Sequence, residues 1–255
     1  MTTLSAGNVV LLLAAGLGAG TVNGVAGGGT LVSFPALLAT GLPALQANVT
    51  STVGIWPGYL GGVAGFRSEV RAQPRDRLAA LSGAAVVGAV AGSVLLLVTP
   101  VAAFKLLAPY LVLGACLLFA VQPLISRRMK ERLTADAGGH LRLAAVGTAL
   151  GSVYGGYFGA GLGVVLLALL GLTVPDDLVR TNGLRAVLSL VVNCVAAVVF
   201  LLAAHVAWSD AGLLAGSSLV GGYFGARLAR HLPPVVFRVL VVLLGLVTAA
   251  RLLAG

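Results

Sequence analysis

Six apolar runs in this sequence are each about as long as a bilayer-crossing helix, and basic residues lie between them. The runs are 48–66, 78–99, 106–125, 183–204, 211–226 and 235–253. A crossing α-helix needs about 20 residues, because it rises 1.5 Å per residue through a hydrocarbon core of about 30 Å. Only 9% of the residues are charged, whereas soluble domains carry about 25%. We therefore expect an all-α polytopic membrane protein rather than a soluble domain or a β-barrel, whose strands alternate in short segments.

Two further apolar regions, 7–39 and 141–172, are interrupted near their middle by clusters of glycine. The first contains NGVAGGGTLVSFP at 23–35, and the second contains YGGYFGAGLG at 154–163. Each glycine costs a helix about 1 kcal/mol relative to alanine, and irregular backbone at membrane depth is tolerated only when it is buried in protein or lines a polar cavity. We therefore predict a helix–break–helix segment in each region, with each half long enough for about half of the bilayer.

The two interrupted regions belong to an internal repeat. A shift of 132 positions, and of 133 further along, aligns an ordered set of pairs: Gly24 with Gly156, Gly27 with Gly159, Gly29 with Gly161, Pro43 with Pro175, Gly88 with Gly221 and Pro100 with Pro233. Self-similarity at a fixed period indicates a duplicated structural unit. We therefore divide the chain into a first repeat at 1–125, a basic linker at 126–140 and a second repeat at 141–255.

The distribution of Lys and Arg decides between two membrane topologies. If both interrupted regions cross the membrane, ten Lys and Arg residues lie on the cytoplasmic side and six lie outside. If each region is re-entrant and turns back to its own side, fourteen lie inside, and only Lys105 and Arg251 lie outside. Because short cytoplasmic loops carry an excess of Lys and Arg, we predict the second topology. It has two inverted-topology repeats, each with a re-entrant broken helix pair and three transmembrane helices, a cytoplasmic linker, and both termini outside.

The two breaks form the first candidate site. A half-helix that begins at 28–30 or at 160–162 has N–H groups without helical acceptors and a partial positive charge at its start. Glycines let an anion approach such groups closely, and inverted repeats with broken helices are typical of secondary transporters. We therefore predict an anion site formed by Asn23, Gly27, Gly28, Gly29, Thr30, Tyr157, Gly159 and Gly161. Close helix packing is the preferred interpretation for other small-residue pairs, such as Gly16 with Gly20 and Gly88 with Gly92.

Polar residues also mark the helices that follow the breaks. Thr50 lies opposite Asn182 under the 132 shift, and both residue types are good helix caps, so capping and substrate binding are both open. Arg185 lies about one turn inside an otherwise apolar helix. It either snorkels to the cytoplasmic surface or attracts the substrate anion into a bidentate contact. Asn193 follows eight residues later, on about the same helix face.

Several other classes of function are disfavoured. The net charge of +9 comes from short basic clusters between apolar runs, which favours a membrane topology signal over nucleic-acid binding. Cys116 and Cys194 lie alone in apolar runs and the histidines are scattered, so we expect no metal, no cofactor and no enzymatic activity. The expected partners are the lipid bilayer and a small anion, and the glycine-rich faces leave a homodimer open.

The segments NGVAGGGTLVSFPALLATGLPALQANVTSTVG, YGGYFGAGLG and RTNGLRAVLSLVVN resemble the TauE/SafE sulfite exporter family, also called TSUP, and the resemblance spans nearly the whole chain. It implies a bacterial inner-membrane carrier that moves sulfur-containing anions, usually outward, such as sulfite, thiosulfate or sulfoacetate. The family's motif positions fall on Asn23, Gly27, Gly28, Gly29, Thr50, Ser51, Gly159, Gly161, Asn182 and Arg185. Members often have Lys where this chain has Arg185, so the charge is kept while the geometry of the donor differs.

These features together predict a secondary transporter that exports a small sulfur-containing anion by alternating access. An anion channel or a uniporter of the same architecture is the alternative. The apolar runs contain no carboxylate placed as an obvious proton relay, and nothing in the sequence resembles an ATP-binding domain.

Overall fold

The computed structural model describes residues 5–25, 27–132, 141–174, 176–228 and 234–254, and the regular secondary structure in these ranges is α-helix. The helices are α1 (Ala6–Val25), α2 (Thr30–Ala39), α3 (Ala44–Gly65), α4 (Arg67–Arg71), α5 (Arg75–Val98), α6 (Val101–Arg132), α7 (Leu141–Tyr157), α8 (Leu162–Thr173), α9 (Leu178–Ala203), α10 (Trp208–Leu228) and α11 (Pro234–Ala254). The all-α class is thereby confirmed. Among the described residues, four segments are long and apolar enough to cross a membrane: Ala6–Gly24, Arg75–Val98, Val101–Leu124 and Leu178–Ala203.

The helix ends differ from the ends of the predicted apolar runs mainly beyond residue 125. Helix α6 continues to Arg132, so the first part of the predicted linker 126–140 is helical, and residues 133–140 lie outside the described part of the chain. The segment RRMKER consists of residues with good helix propensity, which explains why the helix does not end where the apolar run ends. The short helix α4, Arg67–Arg71, connects α3 to α5 and has no counterpart in the predicted runs.

Each interrupted region forms two helices that lie side by side and run in opposite directions. In α7 and α8, a Cβ built at Gly147 would lie 3.5 Å from the Leu169 side chain, and one at Gly155 would lie 2.8 Å from Leu162. In α1 and α2, a Cβ built at Gly18 would lie 3.4 Å from the Val32 side chain. The halves are unequal, because α1 has 20 residues whereas α2 has 10. At 1.5 Å per residue, α1 is about 30 Å long, which is twice the half-bilayer length expected for it.

The broken pair of each half packs against a helix of the other half. Helix α1 lies along α10, where a Cβ at Gly20 would overlap the Ser218 carbonyl oxygen. Helix α7 lies along α5, where a Cβ at Gly92 would overlap the Val153 carbonyl oxygen. Small residues of this kind let membrane helices approach closely. The packing interpretation of Gly20 and Gly92 is therefore correct, and it also explains how α1 remains one helix despite its glycines.

Helices α3 and α9, which occupy corresponding places in the two sequence repeats, run antiparallel to each other. Near the start of α3, the Thr50 hydroxyl accepts a hydrogen bond of 3.1 Å from the backbone N–H of Ala207, beyond the end of α9. Past the end of α3, Glu69 packs against Gly183 near the start of α9. Helix α3 also contacts α1 and α2, whereas α9 contacts α7 and α8, so each of the two helices lies against one broken pair.

Aromatic side chains fill the core beside the breaks. Phe158 follows α7 and packs edge-on against Phe34 of α2, with ring centroids 5.5 Å apart. The ring of Phe104, in α6, lies 6.4 Å from Phe158. All three side chains are buried. Edge-to-face packing of this kind stabilises the contact beyond the area that it buries, so this cluster fixes the distance between the two broken pairs.

Candidate functional site

The first break, between α1 and α2, is held by one polar side chain. Gly27 adopts φ +74°, a left-handed conformation that favours glycine. The Asn23 carbonyl oxygen Oδ1 accepts a 2.6 Å hydrogen bond from the backbone N–H of Gly29. The N–H of Leu31 then donates to the Gly28 carbonyl at 3.0 Å. The break is therefore a compact turn capped by Asn23 rather than loose backbone.

The second break, between α7 and α8, has a similar turn with different support. Gly159, the counterpart of Gly27, has the same φ of +74°, and Gly161 also has φ +74°. The Tyr154 hydroxyl donates a 2.5 Å hydrogen bond to the Ala160 carbonyl. The N–H of Leu162 donates to the Gly159 carbonyl at 3.2 Å. The backbone of this break is thus held by a phenol from the preceding helix.

The two breaks touch each other. The N–H of Gly163, at the start of α8, donates a 2.9 Å hydrogen bond to the carbonyl of Gly27. On the other side, the Thr30 hydroxyl lies 3.8 Å from a Cβ built at Gly159. The predicted meeting of the glycine segments is therefore present in the structure. The starts of α2 and α8 lie close together, and both contribute a partial positive charge.

One expectation about the breaks needs correction. The first N–H groups of the half-helices, at 28–30 and 160–162, were expected to be unpaired, but those of Gly29 and Leu162 donate to protein acceptors, as do those of Leu31 and Gly163 just beyond. The reason is that unpaired backbone groups are costly where no water reaches them. The breaks therefore supply helix dipoles and close packing, and these four N–H groups are already paired.

Arg185 is the largest fully buried side chain among the described residues, with 1% of its surface exposed. Because α9 begins at Leu178, Arg185 lies about two turns inside the helix rather than one. The burial excludes snorkelling in this structure. Its Nη1 atom faces the first break, since a Cβ built at Gly27 would lie 2.9 Å from it. Within the described part of the chain, Nε and Nη2 have no hydrogen-bond partner.

Three polar side chains that surround Arg185 complete the candidate site. Tyr59 of α3 is buried in a small cluster against which Leu190 of α9 packs, and its hydroxyl is near enough to Arg185 and Asn193 to interact electrostatically with both. Asn193 donates to the Ser189 carbonyl at 2.9 Å. The hydroxyls of Ser189 and Tyr59 are buried and make no hydrogen bond with proper geometry to any described residue. Ser189 and Asn193 are spaced i+4 and i+8 from Arg185, so they share its helix face.

Sequence reasoning placed Asn193 on the face of Arg185 but missed Ser189 and Tyr59. The i+4 spacing from Arg185 could have identified Ser189. Tyr59 had no such signal, because only the packing of α3 against α9 brings it to Arg185. Ser51, which was predicted for the site, lies in α3, where its hydroxyl and that of Ser33 are 2.6 Å apart.

Three other predicted residues make structural hydrogen bonds. The Thr50 hydroxyl accepts from the Ala207 N–H, the Asn182 amide donates to the Leu178 carbonyl at 2.8 Å, and the Tyr157 hydroxyl lies 3.4 Å from the Thr99 hydroxyl. The Tyr157 carbonyl also accepts from Asn48 Nδ2 at 3.0 Å. A substrate-binding role for these residues stays a prediction, and so does that of Gly28, which lies against the Phe119 ring.

A polar cluster joins the two halves near the start of α9. Arg77 of α5 forms a 2.8 Å ion pair with Asp176, and Gln73 donates to the same carboxylate at 3.2 Å. Arg180 lies 3.8 Å from Asp176. On the same side of the chain, Asp177 caps α9 by accepting from the Arg180 N–H at 2.8 Å. This cluster connects the α4–α5 segment with the α8–α9 segment and lies at the same end of α9 as Arg185.

A cavity of about 650 Å³ lies between α1, α2 and α11. Its walls are mainly Leu, Val, Ala and Pro side chains, with Arg251 as its one charged residue. Arg185 does not line it, so this cavity and the polar site are separate features. The described residues contain no group of three His, Cys, Asp or Glu side chains that could hold a metal ion.

The chain is similar in sequence to proteins named as probable membrane transporters over almost its full length. A "Probable membrane transporter protein" of Haemophilus influenzae is 27% identical over 249 residues, covering 96% of this chain and 94% of the relative. A "Probable membrane transporter protein ORF9" of Sinorhizobium sp. is 28% identical, covering 96% of this chain and 92% of the relative. The "Probable membrane transporter protein YfcA" of Escherichia coli K12 is 23% identical, covering 92% of this chain and 86% of the relative.

The comparison with family models is the most specific. No solved structure gives a significant match to the chain. The family model described as "Sulfite exporter TauE/SafE" matches residues 12–252, which includes both breaks, Arg185 and the α4–α5 segment. The resemblance seen in the sequence is thereby confirmed, and the chain belongs to the TauE/SafE sulfite exporter family.

Proposed function

We propose that this protein is a secondary transporter that exports a small sulfur-containing anion, such as sulfite, thiosulfate or an organosulfonate. The observation that carries the proposal is Arg185, a buried cation beside the meeting point of two helix N-termini, with donor groups that lack partners among the described residues. A buried charge without a counter-ion is costly, so a site of this kind favours an anionic ligand. The family's description as a sulfite exporter, and the relatives' names as membrane transporters, support the same class.

The proposed topology has two inverted repeats in the cell inner membrane, with both termini outside. The antiparallel course of α3 and α9 supports it, since corresponding helices of inverted repeats cross the membrane in opposite directions. The antiparallel pairs α1–α2 and α7–α8 support re-entrant segments. In this topology fourteen Lys and Arg residues lie inside and two lie outside, in line with the excess of basic residues in short cytoplasmic loops.

Alternating access is the mechanism that this geometry favours. Arg185 is 1% exposed, so an anion from either side reaches it only after packed helices separate. The ion-pair cluster of Arg77, Asp176 and Arg180 joins the two halves at one end of α9. At the other end of α9, Thr50 bonds to Ala207. Contacts that join the halves at both ends of the site are suited to opening one end at a time.

The test measures transport by the full-length protein in proteoliposomes. Radiolabelled sulfite inside the vesicles should exchange with external sulfite, thiosulfate or sulfoacetate in saturable counterflow, whereas unitary currents would indicate a channel. Arg185→Ala should abolish the exchange, because it removes the buried cation. Arg251→Ala is the matched control, since Arg251 is an exposed arginine at the distal end of α11. Counterflow that is absent in the wild type, or unchanged in Arg185→Ala, would overturn the proposal.

A further inference from the structure

The geometry points to a selective oxyanion clamp: Arg185 binds two oxygens of the substrate through the paired Nε and Nη2 edge of its guanidinium, and the Tyr59 and Ser189 hydroxyls bind a further oxygen. This inference rests on the proposed function and specifies how its site recognises the anion. The clamp would take sulfite-like or sulfonate-like groups, in which several oxygens are attached to one atom, in preference to monatomic halides.

The two unpartnered atoms of Arg185 are those that form one edge of the guanidinium. The N–H of Nε and one N–H of Nη2 point in the same direction, and this parallel pair matches two oxygens of an oxyanion. Nη1, on another edge, lies against Gly27 of the first break. The protein therefore covers one edge and leaves the bidentate edge without a protein acceptor among the described residues.

The Tyr59 and Ser189 hydroxyls supply the remaining contacts of the clamp. Tyr59 comes from α3 and belongs to a buried cluster with Ala19 and Ile55, against which Leu190 of α9 packs, so it lies near the part of α9 that carries Arg185. Ser189 lies one turn beyond Arg185 on the same face of α9. The Ser189 hydroxyl is buried without a hydrogen-bond partner among the described residues, and the Tyr59 hydroxyl faces the Asn193 side chain without a hydrogen bond of good geometry. An unpaired buried donor costs free energy unless a ligand serves it, and Arg185 with these two hydroxyls provides four such donor atoms on neighbouring parts of α3 and α9.

The clamp explains selectivity through the number of donor groups that a ligand satisfies. A sulfite or sulfonate group offers two oxygens to the Arg185 edge and a third to the hydroxyls. A halide has one centre and cannot satisfy two parallel N–H groups and a hydroxyl with good geometry at the same time. Donor groups left unpaired by the wrong ligand give strong rejection. The charge alone would attract both kinds of anion, so charge and selectivity are separable by mutation.

The variant Arg185→Lys separates the effect of charge from the basis of selectivity, because it keeps the positive charge and removes the parallel donor pair. Apparent affinities of sulfite, methanesulfonate and bromide are measured by inhibition of radiolabelled sulfite counterflow. In Arg185→Lys, the affinity for sulfite relative to bromide should fall about tenfold or more, the effect expected from losing one hydrogen bond to a charged group. Arg251→Lys is the matched control and should leave the ratio unchanged.

Tyr59→Phe provides a second test that does not depend on the folding of the lysine variant. It removes one hydroxyl and keeps the ring, so sulfite and methanesulfonate should bind about fivefold more weakly while bromide is unaffected. A wild-type sulfite-to-bromide ratio in Arg185→Lys, or equal losses for all three anions in Tyr59→Phe, would overturn the clamp. If Arg185→Ala abolishes counterflow in the same assay, the proposed function stands even when the clamp fails. Wild-type protein without any sulfite counterflow would remove both.

Discussion

The two breaks have the same backbone turn but different supports. Gly27 and Gly159 occupy corresponding positions and share a φ of +74°. In the first break the turn is capped by Asn23. Its counterpart in the second repeat is Gly155, and there the Tyr154 phenol bonds the turn instead. The two breaks therefore share one backbone turn, and different side chains hold it in each.

The same contrast extends to the charged residue. Arg185 of α9 lies opposite Val53 of α3 under the 132 shift. The Arg185 side chain crosses to the first break, where Nη1 faces Gly27. The cation of α9 thus has no counterpart at the matching position of α3, and it contacts the first break. Variants that affect the first break should for this reason disturb transport more than matched variants of the second.

Alanine substitution of the paired glycines Gly27 and Gly159 tests the difference between the two breaks, and it should give the largest effect. Alanine at either Gly27 or Gly159 has to adopt a left-handed φ, which costs about 1–2 kcal/mol. At Gly27 the new Cβ would also lie 2.7 Å from Gly163 Cα and 2.9 Å from Arg185 Nη1. Gly27→Ala should therefore lower thermal stability and counterflow more than Gly159→Ala, where the nearest atom is a carbonyl oxygen at 3.1 Å.

The control for strain alone is Gly41→Ala. Gly41 has φ +95° but no atom within 4 Å of an added Cβ, so its substitution tests the left-handed backbone without a clash. Thermal unfolding in detergent, followed by size-exclusion fluorescence, ranks the three variants. If Gly159→Ala is as damaging as Gly27→Ala, or if Gly41→Ala matches both, contact with Arg185 is not what distinguishes the first break.

Much of the fold was predictable because its signals are local. The lengths of the apolar runs and the glycine clusters mark the helices and their interruptions, since bilayer thickness and helix rise constrain both. The position of Tyr59 beside Arg185 was not predictable. It depends on which side of α3 faces α9. A helix that is apolar on all sides has no distinct apolar face in its sequence, so the sequence does not show which side of each helix faces the other. The pairing of the break N–H groups likewise depends on contact between distant segments, such as Gly163 with Gly27.

Removing the side-chain groups that hold the two turns should lower thermal stability less than the glycine substitutions do. Asn23→Ala leaves the Gly29 N–H without its acceptor in a buried place, which costs about 1–3 kcal/mol. Tyr154→Phe removes only a donor to the Ala160 carbonyl and should cost about 0.5–1.5 kcal/mol. Thermal unfolding of both variants should therefore rank Asn23→Ala as the less stable. The reverse order would mean that the second break depends more on its side chain than the first.

Weakening the polar cluster at the start of α9 should give the smallest loss of thermal stability. Asp176→Asn weakens the ion pairs of Asp176 with Arg77 and Arg180, and partly exposed pairs of this kind contribute about 1 kcal/mol or less. The loss of thermal stability should shrink as salt is added, because salt screens the pair in the wild type. Since the cluster joins the two halves, the same variant should change the rate of counterflow more than the apparent affinity for sulfite.

Asp177→Asn is the matched control for this variant. Asparagine caps helices about as well as aspartate, so the bond from the Arg180 N–H survives and only the exposed pair of Asp177 with Arg180 is lost. Its stability and counterflow rate should stay at the wild-type level. Equal rates in the two variants would show that the cluster is a passive contact. A rate change seen in Asp176→Asn but not in Asp177→Asn would instead show that the contact between the two halves opens during transport. That contact lies at the same end of α9 as Arg185.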